Sequence, residues 1–289
     1  MSHSPGRLVK AWDTELFVVE AGDPSSYPIL ILHGGPGFDH RMFGDYLDPL
    51  ADRGYRLVFV DKRAQGRSAP APPESWTLQQ MAADVTALAG TLELDRYAVL
   101  GHSYGAFVAL QNAVDFPGMA AQTIVSSGVP SSSYLDVVEK NLAAFAPVEL
   151  RERVAASWDA EATVETPGEM GQLWLDQAPF HFADPLDPRI DDYNRRSAGA
   201  FLTPEVLRHL AAEEYGGIEV EDRLGEIPQP VLVLAGRADR TCSVEAAETM
   251  AKGIPTSELV IFERSGHMTF VEETDAYLDA VNRFLSKHR

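Results

Sequence analysis

Residues 97–108, with the sequence YAVLGHSYGAFV, decide the fold of this protein. The apolar run 97–100 is typical of a buried strand, residues 101–105 (GHSYG) follow it directly, and residues 106–114 have helical character. A strand that turns sharply into a helix brings backbone segments together, so the positions two before and two after the serine need small residues. The stretch therefore predicts Ser103 at a helix N-terminus, where free N–H groups and the helix dipole favour negative charge.

Strand-like and helix-like segments alternate on both sides of this turn. The short apolar runs that predict strands are residues 29–32, 56–60, 97–100, 123–125, 231–234 and 259–262. Helical patterns occupy residues 81–92, 244–252 and 277–285, and Thr77 and Gln80 have capping-box spacing ahead of the first of these. This alternation predicts an α/β fold, with a mostly parallel central sheet flanked by helices on both faces.

Residues 130–228 differ in character from the segments on either side. They contain no strand-like run, and their helical stretches, such as residues 137–145 and 204–214, are separated by Pro and Gly. They also carry 20 acidic and eight basic side chains, which accounts for −12 of the net charge of −19. We therefore predict a core formed by residues 1–129 and 229–289 and a helical insertion over residues 130–228.

The composition excludes several classes of partner. The net charge of −19 repels phosphate backbones and anionic lipid, so we expect neither nucleic acid nor membrane as a partner. No apolar run approaches the roughly 18 to 20 residues of a membrane helix, and the first residues show no secretion signal. The single cysteine, Cys242, excludes an internal disulfide and favours a reducing, cytoplasmic location. The histidines lack metal-binding spacing, so we expect no metal and no cofactor, whereas the oligomeric state stays open.

A nucleophilic serine needs a base, and the base needs a third group to orient it. Asp239 follows the predicted strand 231–234, and His267 follows the predicted strand 259–262. The carboxyl ends of parallel strands meet at one edge of a sheet, so both side chains can lie near Ser103. We predict Ser103 as the nucleophile, His267 as the base and Asp239 as the acid that orients it.

Negative charge that forms on a substrate carbonyl oxygen is best stabilised by backbone N–H donors aimed at that oxygen. One donor is expected from Tyr104, the residue after the nucleophile. The other is expected from residues 33–37 (HGGPG), whose glycines let the backbone approach a substrate. Gly35 is the predicted second donor, and Gly34 is the alternative. A phosphate-binding loop is disfavoured because the Lys-Ser/Thr of a P-loop and the spacing of a dinucleotide motif are missing.

These motifs resemble those of the proline iminopeptidase-like group of the α/β-hydrolase superfamily. Residues 33–37 match the HGGPG signature of the group, and the three predicted catalytic residues stand in its chain order. Residues 61–68 (DKRAQGRS) resemble its D-x-R-G-x-G-x-S loop, with Ala64 in place of a glycine. The resemblance implies an α/β-hydrolase fold in which residues 130–228 form a helical cap inserted after the sixth strand.

The resemblance also implies a serine hydrolase that works through an acyl-enzyme. The favoured substrate is an N-terminal, prolyl-type residue on a short peptide or amide. Since the group also contains esterases and lactonases, the alternative is a carboxylesterase or lactonase that acts on a small neutral ester. One departure concerns Arg240, which follows the predicted acid where several such peptidases have an acidic residue. A ligand-binding protein on a hydrolase scaffold is a third hypothesis, which the complete set of catalytic elements disfavours.

Candidates for substrate recognition lie in the predicted cap. In aminopeptidase members of the group, cap glutamates hold the free amino terminus of the substrate, and here Glu161, Glu213 and Glu214 are the candidates. The alternative is that these carboxylates lie on solvated helix faces. Trp158 and Trp174 are candidates for the wall of an apolar pocket, with burial in the cap core as the alternative.

Overall fold

A computed structural model describes residues 3–288. Its centre is an eight-stranded sheet with the strand order β1-β2-β4-β3-β5-β6-β7-β8. The strands are β1 (Arg7–Ala11), β2 (Thr14–Ala21), β3 (Tyr27–Leu32), β4 (Tyr55–Val60), β5 (Ala98–His102), β6 (Gln122–Ser126), β7 (Val231–Gly236) and β8 (Ser257–Phe262). In this order, the neighbouring pairs β4-β3, β3-β5, β5-β6, β6-β7 and β7-β8 are all parallel. Strand β2 is antiparallel to both β1 and β4.

Strands β1 and β2 are not predicted by the sequence analysis. They form a hairpin at one edge of the sheet, and in β1 only Val9 and Ala11 are buried. A strand with one solvated face alternates polar and apolar side chains and so lacks the continuous apolar run that identifies a doubly covered parallel strand. The other six strands are confirmed.

Twelve α-helical segments accompany the sheet within the described residues. They are α1 (Pro49–Asp52), α2 (Leu78–Thr91), α3 (Tyr104–Asp115), α4 (Val137–Ala143), α5 (Val148–Asp159), α6 (Pro167–His181), α7 (Arg189–Arg196), α8 (Pro204–Ala211), α9 (Glu214–Gly217), α10 (Val244–Gly253), α11 (Thr269–Glu272) and α12 (Thr274–Lys287). Segments α4 to α9 all lie between β6 and β7, and we call them the cap. The predicted fold class is confirmed, including the helical cap after the sixth strand, and the exact limits at residues 130 and 228 stay a prediction.

The hydrophobic core has two layers, one on each face of the sheet. In β3, Leu30 and Leu32 contribute to the layer that contains side chains of α2, α3 and α10, whereas Ile29 and Ile31 contribute to the layer that contains side chains of α1 and α12. All four β3 side chains are fully buried, and burial of each stabilises the fold by about 1.5 to 3 kcal/mol. Helices on both faces leave the carboxyl edge of the parallel strands as the place where loops converge.

Candidate active site

Ser103 lies at the junction of β5 and α3, in an unusual backbone conformation. Its φ is 55° and its ψ is −124°, a region that costs a residue with a side chain about 1 to 3 kcal/mol. Glycine on either side makes the turn possible. A Cβ at Gly101 would lie 2.0 Å from the carbonyl oxygen of Gly105, and a Cβ at Gly105 would lie 2.2 Å from that of Leu32. The turn therefore needs both glycines and presents the serine at the start of α3.

Asp239 and His267 meet after the ends of β7 and β8. Nδ1 of His267 lies 2.8 Å from Oδ2 of Asp239. The other carboxylate oxygen, Oδ1, accepts hydrogen bonds from the N–H groups of Thr241 and Cys242 at 2.9 Å and from the Thr241 hydroxyl at 2.8 Å. Burial alone would raise the pKa of the Asp239 carboxyl, but the His267 ring and these N–H donors hold that pKa below its ordinary value. Asp239 is therefore set up as an anion that fixes the orientation of the imidazole.

The ring of His267 is packed between two further histidines. Its centroid lies 5.0 Å from that of His102, the residue before Ser103, and 5.1 Å from that of His181 at the end of α6. Burial lowers the pKa of His102 well below its ordinary value and lowers that of His181 to about 3, and the nearby His267 acts in the same direction. Both neighbours are therefore neutral. Of these three histidines, His267 is the one that is paired with a carboxylate, that of Asp239.

A cavity of about 160 Å³ contains Ser103 and His267 in its lining. The lining comes from both the core and the cap, and it is mostly apolar. In the described part of the chain no hydrogen bond joins the Ser103 hydroxyl to His267, although both face the same cavity. Catalytic hydrogen bonds of this kind commonly tighten only when substrate binds. Ser103 and His267 thus line one cavity, and Asp239 contacts the ring of His267.

The loop after β3 contributes Gly35 to the same cavity. The N–H of its neighbour Gly34 already donates to Sδ of Met42 at 3.1 Å. Within residues 3–288, the N–H groups of Gly35 and Tyr104 make no hydrogen bond. Gly35 has a φ of 96°, which lets the chain turn so that its amide stays open. Between the two alternatives from sequence, this geometry favours Gly35 over Gly34.

Glu161 is buried and lines the cavity from the cap side. Its carboxylate accepts hydrogen bonds from Nε2 of Gln177, at 2.7 Å, and from the hydroxyl of Tyr215. Burial raises the pKa of Glu161 to about 7, although both hydrogen bonds act to lower it. Trp158 and Trp174, the two aromatic candidates from the sequence, also line the cavity. The site therefore combines an apolar wall with one desolvated carboxylate.

Glu213 and Glu214 are not brought to the cavity, so their proposed role needs correction. Both are exposed, and the carboxylate of Glu213 lies 3.6 Å from Nε2 of His209. The predicted helix over residues 204–214 in fact ends at Ala211. After it, Glu214 and Tyr215 have φ angles of 51° and 55°, a left-handed turn that directs Tyr215 to the cavity. The adjacent Gly216 and Gly217 mark a turn in the sequence, but its handedness was not deducible.

Two groups of side chains in the described residues are close enough to offer metal ligands. They are Asp239, Cys242 and His267, and Asp39, His40 and Asp61, with candidate ligand atoms within 4.8 Å of one another in each group. In the first group Nδ1 of His267 lies 2.8 Å from Asp239, and in the second group His40 Nδ1 lies 2.6 Å from Asp61 and Arg67 pairs with Asp39 at 2.9 Å. Neither group needs an ion to satisfy its charges, and the expected lack of a metal or cofactor stays a prediction.

A model of the alpha/beta hydrolase family matches residues 29–280. The chain therefore belongs to the α/β hydrolase family. A proline iminopeptidase from Clostridium botulinum is 30% identical over 274 residues, which covers 90% of each chain. These matches confirm the resemblance that the motifs indicate.

Solved structures show the same fold. An esterase from Exiguobacterium antarcticum has a TM-score of 0.75 at 22% identity and covers 98% of this chain and 100% of its own. A proline iminopeptidase from Mycobacterium smegmatis has a TM-score of 0.75 at 23% identity, with 98% of each chain covered. At these identities the structures support the fold, and the site itself has to indicate the substrate.

No helix within the described residues is long and apolar enough to cross a membrane.

Proposed function

We propose that this protein is a serine hydrolase that releases an N-terminal, prolyl-type residue from short peptides or amides through an acyl-enzyme. The observation that carries the proposal is the position of Glu161, a buried carboxylate in the same cavity as Ser103 and His267. A carboxylate in an apolar cavity is costly unless it meets a cation. The free amino terminus of a peptide supplies that cation next to the bond to be cleaved.

In the proposed mechanism, Nε2 of His267 takes the proton of the Ser103 hydroxyl as its oxygen attacks the substrate carbonyl carbon. The resulting oxyanion accepts hydrogen bonds from the N–H groups of Gly35 and Tyr104. When the scissile C–N bond breaks, His267 gives the proton to the leaving amine, and the acyl group remains on Ser103. Water, deprotonated by His267, then attacks the acyl-enzyme, and the proton returns to Ser103 as the acid product leaves. Asp239 stabilises the imidazolium that forms twice in this cycle.

Recognition is proposed to rest on the cap. The ammonium group of the substrate would pair with Glu161, whose two oxygens are already held by Gln177 and Tyr215. Trp158 and Trp174 line the space around it and offer an apolar surface for a small ring such as that of proline. Fixing the amine and burying the ring would place the adjacent carbonyl at Ser103, which is how binding energy supports the chemical step.

The wider setting is part of the same proposal. We infer that the protein acts in the cytoplasm on small molecules or short peptides, without nucleic acid, membrane or cofactor. The net charge of −19 and the single, buried Cys242 support this inference. Residues 130–228 are proposed as the limits of the cap that selects the substrate.

The test compares a prolyl arylamide, its N-acetylated form and an alanyl arylamide with small p-nitrophenyl esters and a simple lactone. We expect the free prolyl amide to be cleaved and the acetylated form to lose at least about 100-fold in kcat/KM, since acetylation removes the charge that pairs with Glu161. Ser103→Ala should lower turnover by roughly 10³-fold or more while the protein stays folded. Retention of more than a tenth of the activity in this variant would refute the assignment of Ser103.

A second candidate function is a carboxylesterase or lactonase for small neutral esters. It is favoured by the mostly apolar lining of the cavity, in which a protonated Glu161 would present no charge. Equal rates on the free and acetylated prolyl amides, together with faster cleavage of an ester or lactone, would establish this alternative. Loss of all these activities in Ser103→Ala would show that one serine serves both.

A further inference from the structure

Lys62 is a buried amine that the proposed mechanism does not use. It is only 3% exposed and follows β4, in the D-x-R segment that the sequence analysis singled out. Its Nζ donates hydrogen bonds to the carbonyl oxygens of His33, at 2.6 Å, and of Gly34, at 3.3 Å. It also lies 5.5 Å from the centre of the Tyr104 ring. Lys62 therefore contacts the peptide that carries one proposed oxyanion donor and lies near the side chain of the residue that carries the other.

The contact with Gly34 bears directly on the N–H of Gly35. The carbonyl of Gly34 and the N–H of Gly35 belong to one planar, trans peptide unit, so they point in opposite directions. Donors that hold the carbonyl on one side therefore direct the N–H to the other side. Nδ1 of His33 also lies 2.9 Å from the Gly34 oxygen and 2.8 Å from Nζ of Lys62, which closes a compact group behind the loop.

We propose that Lys62 is a positioning residue for the oxyanion hole, because it orients the peptide between Gly34 and Gly35 so that the Gly35 N–H faces the cavity. The N–H groups of Lys62 also polarise the peptide between Gly34 and Gly35. Hydrogen bonds that are linked in a chain strengthen one another where water is excluded. This inference rests on the proposed acyl-enzyme mechanism and does not depend on which substrate is cleaved. The hydrogen bond from the Gly35 N–H stabilises the transition state more than the bound substrate, since the oxyanion forms only as the serine attacks.

A purely structural role for Lys62 makes a different prediction, and Arg63 provides the comparison. Arg63 is equally buried and adjacent in the chain, but its guanidinium pairs with Asp84 and Asp13, and within residues 3–288 it makes no hydrogen bond to the loop after β3. Both side chains are buried with polar partners, so loss of either side chain should change the stability of the fold. Only loss of Lys62 should change how the enzyme stabilises an oxyanion.

The experiment measures kinetics of Lys62→Met, Lys62→Gln and Lys62→Arg, with Arg63→Met as the matched control. Competent sites are counted by titration with a fluorophosphonate, and rates are expressed per competent site. For Lys62→Met we expect kcat to fall about 10- to 100-fold with KM within about threefold, somewhat less than the loss of a whole oxyanion donor. Affinity for a peptide boronic acid, which forms a tetrahedral adduct with the serine, should fall by the same factor. Lys62→Gln, which keeps an amide NH₂ donor on a shorter side chain, should lose less, and Lys62→Arg, which keeps several N–H donors on a long side chain, should lose least.

Arg63→Met should unfold at a lower temperature yet keep kcat and boronate affinity per competent site. Unchanged kcat and boronate affinity in Lys62→Met would overturn the inference, whatever happens to the melting temperature. Failure of all three Lys62 variants to fold would also count against it, because a positioning role requires folded but slow enzyme. Activity in Ser103→Ala would refute the proposed function itself, whereas inactive Ser103→Ala with fully active Lys62→Met would refute only the role of Lys62.

Discussion

At the scale of single residues, chemistry and backbone strain coincide at this site. Ser103 has a positive φ, and so does Tyr215, which holds Glu161. Ala64 also has a positive φ, 58°, at the position where the resemblance has a glycine. Residues with side chains adopt such angles only when their surroundings enforce them. The positions of Ser103 and Tyr215 are therefore maintained by the surrounding fold at a cost in stability.

Glu161 gives a prediction on pH. Because its pKa is about 7, the carboxylate that would bind an ammonium group is mostly protonated below that pH. The kcat/KM for a free prolyl amide, divided by that for a neutral ester, should rise as pH increases from about 5.5 to 7. The ratio cancels the titration of the base, which both reactions share. Initial rates on both substrates across this range provide the measurement.

In Glu161→Gln the same ratio should be low and independent of pH, because the group that titrates is gone. Gln keeps the size of the side chain and can still bond with Tyr215, so the cavity shape is preserved. A wild-type ratio that stays flat between pH 5.5 and 7 would rule out Glu161 as the site of amine recognition.

At the scale of elements, the end of α6 joins the cap to both loops of the proposed triad. The guanidinium of Arg240 donates to the carbonyl oxygens of Phe180, Phe182 and Ala183 at 3.1, 2.6 and 3.1 Å. The N–H of His267 donates to the carbonyl oxygen of His181 at 2.7 Å. Cations bind well at helix C-termini, where carbonyl groups lack partners. Arg240, which stands where several similar peptidases have an acidic residue, thus joins the loop that carries Asp239 to the cap.

Loss of the hydrogen bonds that Arg240 donates should lower the stability of the protein measurably. We expect Arg240→Met to lower the free energy of unfolding by about 2 kcal/mol, since the loss leaves carbonyl groups near the cap helix without a charged donor. The matched control is Arg237→Met, three residues earlier, whose exposed pair with Glu263 is screened by solvent and contributes little to stability. Urea unfolding of the two variants makes the comparison, and equal losses would mean that Arg240 does not join the cap to the core.

At the scale of the whole molecule, the contribution of Glu161 to stability depends on pH. The pKa of Glu161 is about 7 in the folded protein and about 4.5 as an ordinary glutamate, so the folded state holds this proton more tightly than the unfolded state. Between these two values the contribution of Glu161 to stability therefore falls with increasing pH, whereas the lowered pKa values of His102 and His181 act in the opposite direction. Glu272, which accepts from the N–H groups of Ala183 and Gly266, also has a pKa raised by burial to about 7 and acts in the same direction as Glu161.

Glu161→Gln should accordingly be more stable than the wild type at pH 8, by up to roughly 3 kcal/mol, and similar to it near pH 4.5. Chemical unfolding at several pH values measures this difference. An advantage that does not grow with pH would show that Glu161 is not desolvated in the folded protein. Combined with lower activity on prolyl amides, greater stability of this variant would show that binding of the amine is obtained at the expense of stability.

The sequence by itself determined the parts of this protein that depend on near neighbours in the chain. The strand-turn-helix around Ser103 follows from an apolar run, two glycines and a helical segment within 18 residues, 97–114. The six apolar strands follow in the same way, because burial on both faces imposes a continuous apolar run. The positions of Asp239 and His267 were predictable because each directly follows such a strand.

Only the tertiary structure decided which distant side chains share the cavity. Glu161, Glu213 and Glu214 were equal candidates in the sequence, and burial of the first beside Tyr215 distinguishes it from the exposed pair. The contact of Lys62 with the loop after β3 likewise had no local signal. Such contacts depend on how segments far apart in the chain pack together, and no periodicity or short motif encodes the direction in which a cap side chain points.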